Sequence, residues 1–198
     1  MKTETLGKFD TLGSDNEPPT LIRSNVFHDS RGFFTEVTKS SVLKSSGIMS
    51  QFVQDNRSRS IPKVIRGMHA QLGPAQAKLV SCLRGSIFDV IVDIRPESAT
   101  FGKFEGVTLK EDDGVSLYVP IGFAHGFCVL GDQPADVFYK VSAEWSPTSE
   151  VGVRFDDPTL KIPWPVSNPI VSEKDRKLPS FSELANFLNE RHAVRAAG

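Results

Sequence analysis

Between residues 20 and 165 the apolar residues fall into short runs, most of them alternating with polar ones. The runs "TLIRSNVFHD", "GFFTEVTK", "KLVSCLRG", "SIFDVIVDIR", "FEGVTLK", "VSLYVPIGFAHGFCVL" and "DVFYKVSAEW" are rich in Val, Ile, Phe and Tyr. Gly, Pro, Asp or Asn breaks the pattern about every ten residues, the rhythm of a β-sandwich or barrel. "MSQFVQDNRSRS" reads as a further extended segment that begins apolar at Phe52 and Val53 and then turns polar. Within "SIFDVIVDIR" a period of two places Ile87, Asp89, Ile91, Asp93 and Arg95 on one face and Phe88, Val90, Val92 and Ile94 on the other. Both faces are largely apolar, which marks a central strand. Two carboxylates on one face of such a strand are costly unless they are paired or meet a wet interior, so a barrel with a polar lumen is expected.

Helix is scarce. "SFSELANFLNERH" carries an S-x-x-E capping box, Ser180 with Glu183, followed by an apolar stripe of Leu184, Phe187 and Leu188. This helix is expected to pack on the outside of the barrel. A short helix at "SSVLKSSG" ends at Gly47. The organisation read from this pattern is an arm or edge segment over 1–19, a β domain over 20–179, and a C-terminal helix and tail over 180–198.

The chain length of 198 residues suits one domain with a substantial core, and 39% apolar with 24% charged residues is ordinary for a globular protein. A net charge of −1 gives no global attraction to nucleic acid or anionic lipid. Any anion must be held by a local cluster. No apolar run reaches the roughly 18 residues of a membrane span, and the N-terminal segment lacks the apolar stretch of a signal peptide. A cytoplasmic location is the expectation. The two cysteines, Cys82 and Cys128, sit in apolar runs without a C-x-x-C pattern and read as buried thiols.

Candidate chemistry concentrates in "VIRGMHAQ" and its surroundings. Of four histidines, His192 falls near the end of the last helix and His28 precedes a turn, whereas His69 and His125 lie in strand-like runs beside glycines. A hydrogen-bonded core histidine accounts for either one singly; together in one small β domain they favour a shared pocket. The chain has no H-x-H pair, so the three or four converging ligands of a metal site are not in view, and no metal or other cofactor is expected. Arg31, Arg57, Arg59, Arg66 and Lys78 crowd the first half. Arg57 and Arg59 read as solvated surface charge. Arg66 and Lys78 flank apolar strand residues, and at least one should face the lumen, where guanidinium suits a phosphate. Tyr139, one of two tyrosines, is either core with a bonded hydroxyl or a general acid for a carbanion or enolate. Cations, an imidazole and a phenol suggest an anionic substrate and proton transfer.

In order along the chain, "DSRGFFTE", "FVQDNRSRS", "IRGMHAQ", "QAKLV", "GSIFDVIVDIRPESATFG", "VPIGFAHGF", "YKVSAEWSPTSEVGVRFDDP", "IPWP" and "SEKD" resemble the motifs of the dTDP-4-dehydrorhamnose 3,5-epimerase family. The resemblance covers more than three quarters of the chain. It implies an all-β, double-stranded β-helix or jelly roll of the cupin class, without metal, and a homodimer whose N-terminal strands exchange between subunits. It implies a nucleotide-linked 4-keto-6-deoxyhexose as substrate, inverted at C3 and C5. Carried residue by residue, it implies His69 as the base, Asp175 of "SEKD" as its carboxylate partner, Tyr139 as the acid on the opposite face, and Lys78 beside the C4 oxygen. It further implies Arg31 and Arg66 on the diphosphate, Gln54 and Asn56 in the substrate cleft, and Glu36 at the nucleotide base. Phe27 and Phe33 would be stacking or wall positions, His125 would line the sugar pocket, and Asp89 would support the lumen's hydrogen bonds.

The sequence departs from the family pattern around the base, where Met68 and Ala70 flank His69 in place of Leu and an aromatic, and at Trp145, a position often held by Tyr. These changes keep open a C3-only or C5-only epimerase, or one acting on a related dTDP-, GDP- or CDP-4-keto sugar. A non-catalytic cupin that only binds a sugar nucleotide is the alternative of another class. Retention of a base and an acid together speaks against it.

Overall fold

The computed structural model describes residues 1–6, 9 and 17–196. The strands in chain order are β1 (Lys2–Thr5), β2 (Thr20–Arg23), β3 (Val26–Asp29), β4 (Gly32–Thr35), β5 (Gln54–Ser60), β6 (Ile65–Gln71) and β7 (Lys78–Arg84). They continue with β8 (Ser86–Asp93), β9 (Phe104–Lys110), β10 (Val115–Val119), β11 (Phe123–Val129), β12 (Ala135–Val141) and β13 (Glu150–Gly152). Among the described residues three helices are interspersed: α1 (Ser40–Ser45), α2 (Glu173–Arg176) and α3 (Phe181–Ala196). A six-stranded sheet runs β1-β2-β10-β7-β12-β5 and a five-stranded sheet runs β13-β6-β11-β8-β9, all neighbours antiparallel. β3 and β4 form a hairpin of their own. The architecture is the expected all-β, cupin-like jelly roll with a C-terminal helix.

The two faces read from "SIFDVIVDIR" are the two faces found. Ile87 and Ile91 pack between the sheets with Val80, Leu117, Phe127 and Val137. Val90, Val92 and Ile94 point outward, with Met68 and Ala70, against Leu160, Ile162 and the buried side of α3. Removing this surface from water on both faces is the main force holding the layers together. Of the expected α3 stripe, Leu184 and Leu188 are buried with Phe181, while Phe187 stays exposed. The capping box forms as read: Ser180 N–H donates to Glu183 Oε2 at 2.8 Å, and Glu183 N–H donates back to Ser180 Oγ at 3.3 Å.

On the other flank, α1 ends where Gly47 takes a φ of 81°, and its Leu43 covers the six-stranded sheet together with Ile48. Phe52 joins that cluster, so β5 begins at Gln54 rather than in the apolar residues before it. Within the 1–19 segment, Lys2–Thr5 form an edge strand, and 7–8 and 10–16 lie outside the described residues, as do 197 and 198 of the C-terminal tail. No described helix is long and apolar enough to cross a membrane. Cys82 and Cys128 are free and buried.

Candidate active site

A cavity of about 560 Å³ opens between the sheets. Its walls come from β5 (Gln54, Asn56, Ser58), β6 (Arg66, His69, Gln71), β7 (Lys78), β11 (His125), β12 (Tyr139), β13 (Glu150) and α2 (Asp175), with Trp145 at one side. Strict alternation accounts for β5, whose Gln54, Asn56 and Ser58 face inward while Asp55, Arg57 and Arg59 face solvent.

Alternation fails on β6, and the failure matters. Arg66 and His69 are an odd number of residues apart, so a regular strand would turn them to opposite faces. Against β11, His69 pairs with His125 and Arg66 pairs with Phe127, three residues on one strand spanning two on the other. This β-bulge at Gly67–Met68 brings both side chains into the cavity. Gly67 has a φ of 112°, and a Cβ there would lie 2.6 Å from Gly126 Cα. Only glycine fits.

His69 sits between two carboxylates. Its Nε2 is 3.0 Å from Asp175 Oδ1, and Asp175 Oδ2 accepts from Gly67 N–H at 3.1 Å. Asp175 itself is fixed by α2, where its N–H donates to the capping Ser172 Oγ. Burial pushes the Asp175 carboxyl up, but the hydrogen bond and charge of His69, the Gly67 N–H and Ser172 outweigh it and hold the group below the usual range. An imidazole donating from Nε2 leaves its lone pair on Nδ1. Glu150 Oε1 lies 2.9 Å from Nδ1, yet Nδ1, shielded from solvent, has no aligned hydrogen-bond partner. The two facts agree if the carboxylate sits beside the lone-pair axis rather than on it. Glu150 Oε2 accepts from Lys174 Nζ at 2.7 Å. Burial raises the Glu150 carboxyl, and Lys174, His69 and Trp145 together bring it below its ordinary value.

Lys78 is buried, and its Nζ donates to His69 O at 3.2 Å. Burial lowers its pKa to about 8, the charges of Asp89 and Glu150 working against the fall. Burial likewise raises the Tyr139 phenol, which Arg66 partly offsets, so this group keeps its proton through neutral pH. His125 Nε2 is 2.8 Å from Asp89 Oδ1, both buried. Asp89 stands behind His125 rather than on the cavity wall. Arg66 is held by Ser60, which accepts from its Nε at 2.8 Å, and Gln54 donates to Asn56 at 2.8 Å.

Eight of the expected site residues therefore line one cavity: Gln54, Asn56, Arg66, His69, Lys78, His125, Tyr139 and Asp175. Four do not. Phe27, Phe33, Arg31 and Glu36 lie on or just beyond the β3–β4 hairpin, where Phe27 and Phe33 are half exposed, Arg31 pairs with Asp29 at 2.6 Å and Glu36 pairs with Lys39 at 2.6 Å. Arg57 and Arg59 are exposed but not merely solvated: both bind the nearly buried Asp136 at 2.6 Å. Glu150 was not singled out by sequence. It lies two residues before Gly152, which pairs with His69, a register that the sequence does not show. Lys174 and Ser172 are legible only as neighbours of Asp175 in "SEKD".

This fold and cavity define a jelly-roll isomerase of the racemase and epimerase class. The chain belongs to the dTDP-4-dehydrorhamnose 3,5-epimerase family, whose model matches residues 17–183. It is 45% identical over 174 residues to the dTDP-4-dehydrorhamnose 3,5-epimerase of Shigella flexneri, covering 86% of this chain and 96% of that one. The crystal structure of dTDP-6-deoxy-D-glucose-3,5-epimerase from Legionella pneumophila, in complex with dTDP-4-keto-L-rhamnose, superposes with a TM-score of 0.81 at 38% identity, covering 92% of this chain and 97% of that one. A 3′-monoepimerase from Streptomyces bikiniensis, in complex with dTDP-quinovose, gives a TM-score of 0.79 at 29% identity, covering 86% and 87%.

Proposed function

We propose that this protein converts dTDP-4-dehydro-6-deoxy-D-glucose to dTDP-4-dehydro-L-rhamnose by inverting C3 and C5 in turn. The observation that carries the reading is His69, oriented by Asp175 at 3.0 Å, in one cavity with Lys78 and Tyr139. The C4 ketone acidifies the protons on C3 and C5. His69 removes one, Lys78 stabilises the charge that develops on the C4 oxygen, and Tyr139 returns a proton to the opposite face. Asp175 fixes the tautomer and balances the imidazolium that forms, the orienting role of the acid in a hydrolase triad. The chemistry of the ketone leaves no step that calls for a cofactor. Inversion at both carbons is favoured because the 3,5-epimerases above match at 38% and 45% identity, against 29% for the monoepimerase.

Arg66, at the cavity wall, supplies a guanidinium for the diphosphate, and Gln54 and Asn56 supply amides for the sugar. In this reading the hairpin residues Phe27, Arg31, Phe33 and Glu36 serve the nucleotide in a second copy's cavity. An aromatic hairpin half exposed in a single chain supports it, as does the homodimer with exchanged N-terminal strands that the family resemblance implies. The reading is tested by incubating the purified protein with dTDP-4-dehydro-6-deoxy-D-glucose and a downstream 4-keto reductase. Formation of dTDP-L-rhamnose is expected; recovery of unchanged sugar, or of a product inverted at one carbon, counts against it.

A further inference from the structure

Inverting two carbons with one base creates a difficulty of protons. After the first carbon, His69 holds the proton it removed and Tyr139 has given one up. Neither is ready for the second carbon until His69 has lost its proton and Tyr139 has regained one. The lone-pair nitrogen of His69, Nδ1, has no surface open to water, so a proton there cannot step directly into solvent. The carboxylate oxygen beside it is Glu150 Oε1, at 2.9 Å.

Glu150 is placed to carry that proton outward. It lies on β13, the edge strand of its sheet, and its other oxygen meets Lys174, whose side chain is 60% exposed. It also stands in the wall between two spaces, for it lines both the reaction cavity and a neighbouring groove of about 530 Å³ against Leu178, Leu184 and Phe187. A carboxylate with open space on either side can give way to a sugar carbon approaching Nδ1 and then return to the imidazole.

We propose that Glu150 is the proton outlet of His69, and so the residue that resets the base between the two carbons. This rests on the reading of His69 as the base. A proton passes from the sugar carbon to Nδ1, from Nδ1 to Glu150 Oε1, and from there to water in the outer groove. On the other face Tyr139 gives its proton to the enolate carbon and takes one from water. One proton leaves to solvent and one enters for each carbon inverted. The Lys174 ammonium, outweighing burial, keeps Glu150 ionised at rest, ready to accept and quick to release.

The experiment compares Glu150→Gln and Glu150→Ala with the parent protein and with His69→Asn, using substrate deuterated at C3 and C5 in ordinary water. Retained binding of dTDP shows that each variant is folded. In a single turnover of Glu150→Gln, with enzyme in excess, the first inversion persists, the second slows by about 10²-fold, the singly inverted sugar accumulates, and deuterium returns to recovered substrate instead of washing out. Added formate restores the second inversion in Glu150→Ala, with a dependence on buffer pKa that a packing defect would not produce. Glu150 variants that invert both carbons at the parent rate, with normal loss of label, would overturn the proposal while an inactive His69→Asn leaves the base in place. Activity in His69→Asn would remove the base assignment and this inference with it.

Discussion

Arg66 and His69 face the same cavity although three positions separate them on one strand, because β6 carries one residue more than β11 between them. A guanidinium is thereby set in the same cavity as the imidazole. The bulge needs Gly67, whose φ of 112° and approach to Gly126 exclude a side chain. Gly67→Ala is expected to lose about 3 kcal/mol, or about 6–12 °C in Tm. Activity should fall further than stability, since His69 shifts with the strand. A thermal melt and an epimerase assay on one preparation check both; an unchanged Tm would show that the strand relaxes without cost.

His69→Asn is expected to remove turnover by at least about 10²–10⁴-fold while dTDP binding persists, and Asp175→Asn to cost about 10²-fold in kcat with little change in KM. Steady-state kinetics beside calorimetric titration of dTDP separate the two effects. Loss of nucleotide binding in either variant would place these residues in recognition instead.

Lys78 supplies a pH dependence. Burial lowers its pKa to about 8, so the ammonium is present below that pH and lost as pH rises through it. If the charge steadies the developing enolate, the rate should fall on the alkaline side with an apparent pKa near 8, and Lys78→Met should lose about 10²–10³-fold together with that limb. Tyr139, shifted upward, would not titrate there. A rate that stays flat to pH 9 would remove Lys78 from the oxyanion role.

The hairpin predicts complementation. With Arg31 serving the partner's cavity, His69→Asn and Arg31→Ala chains mixed after unfolding should yield about a quarter of the parent activity, one intact site in each mixed dimer. Unmixed variants should stay inactive. No recovery on mixing would place Arg31 in the service of its own chain.

Most of the layered fold is legible in the chain because alternation is a local signal. "SIFDVIVDIR" declares its two faces, and Ser180 with Glu183 declares the start of α3. Phe187 misled because a helical stripe shows which side is apolar, not how wide the covering surface is. The pairing of His69 with Asp175 spans 106 residues and carries no periodic trace; family resemblance alone pointed to it. Glu150 escaped because its place beside His69 depends on β13 lying beside β6, a tertiary fact. Arg57 and Arg59 looked solvated because their anchor, Asp136, is a strand away.

The most direct test of His69 as the base for both carbons is exchange in deuterated water, followed by NMR at C3 and C5 of dTDP-4-dehydro-6-deoxy-D-glucose. Deuterium entering at both positions with the parent protein, and at neither with His69→Asn, is the result expected. Deuterium confined to one carbon, or entering unabated in the variant, would contradict it.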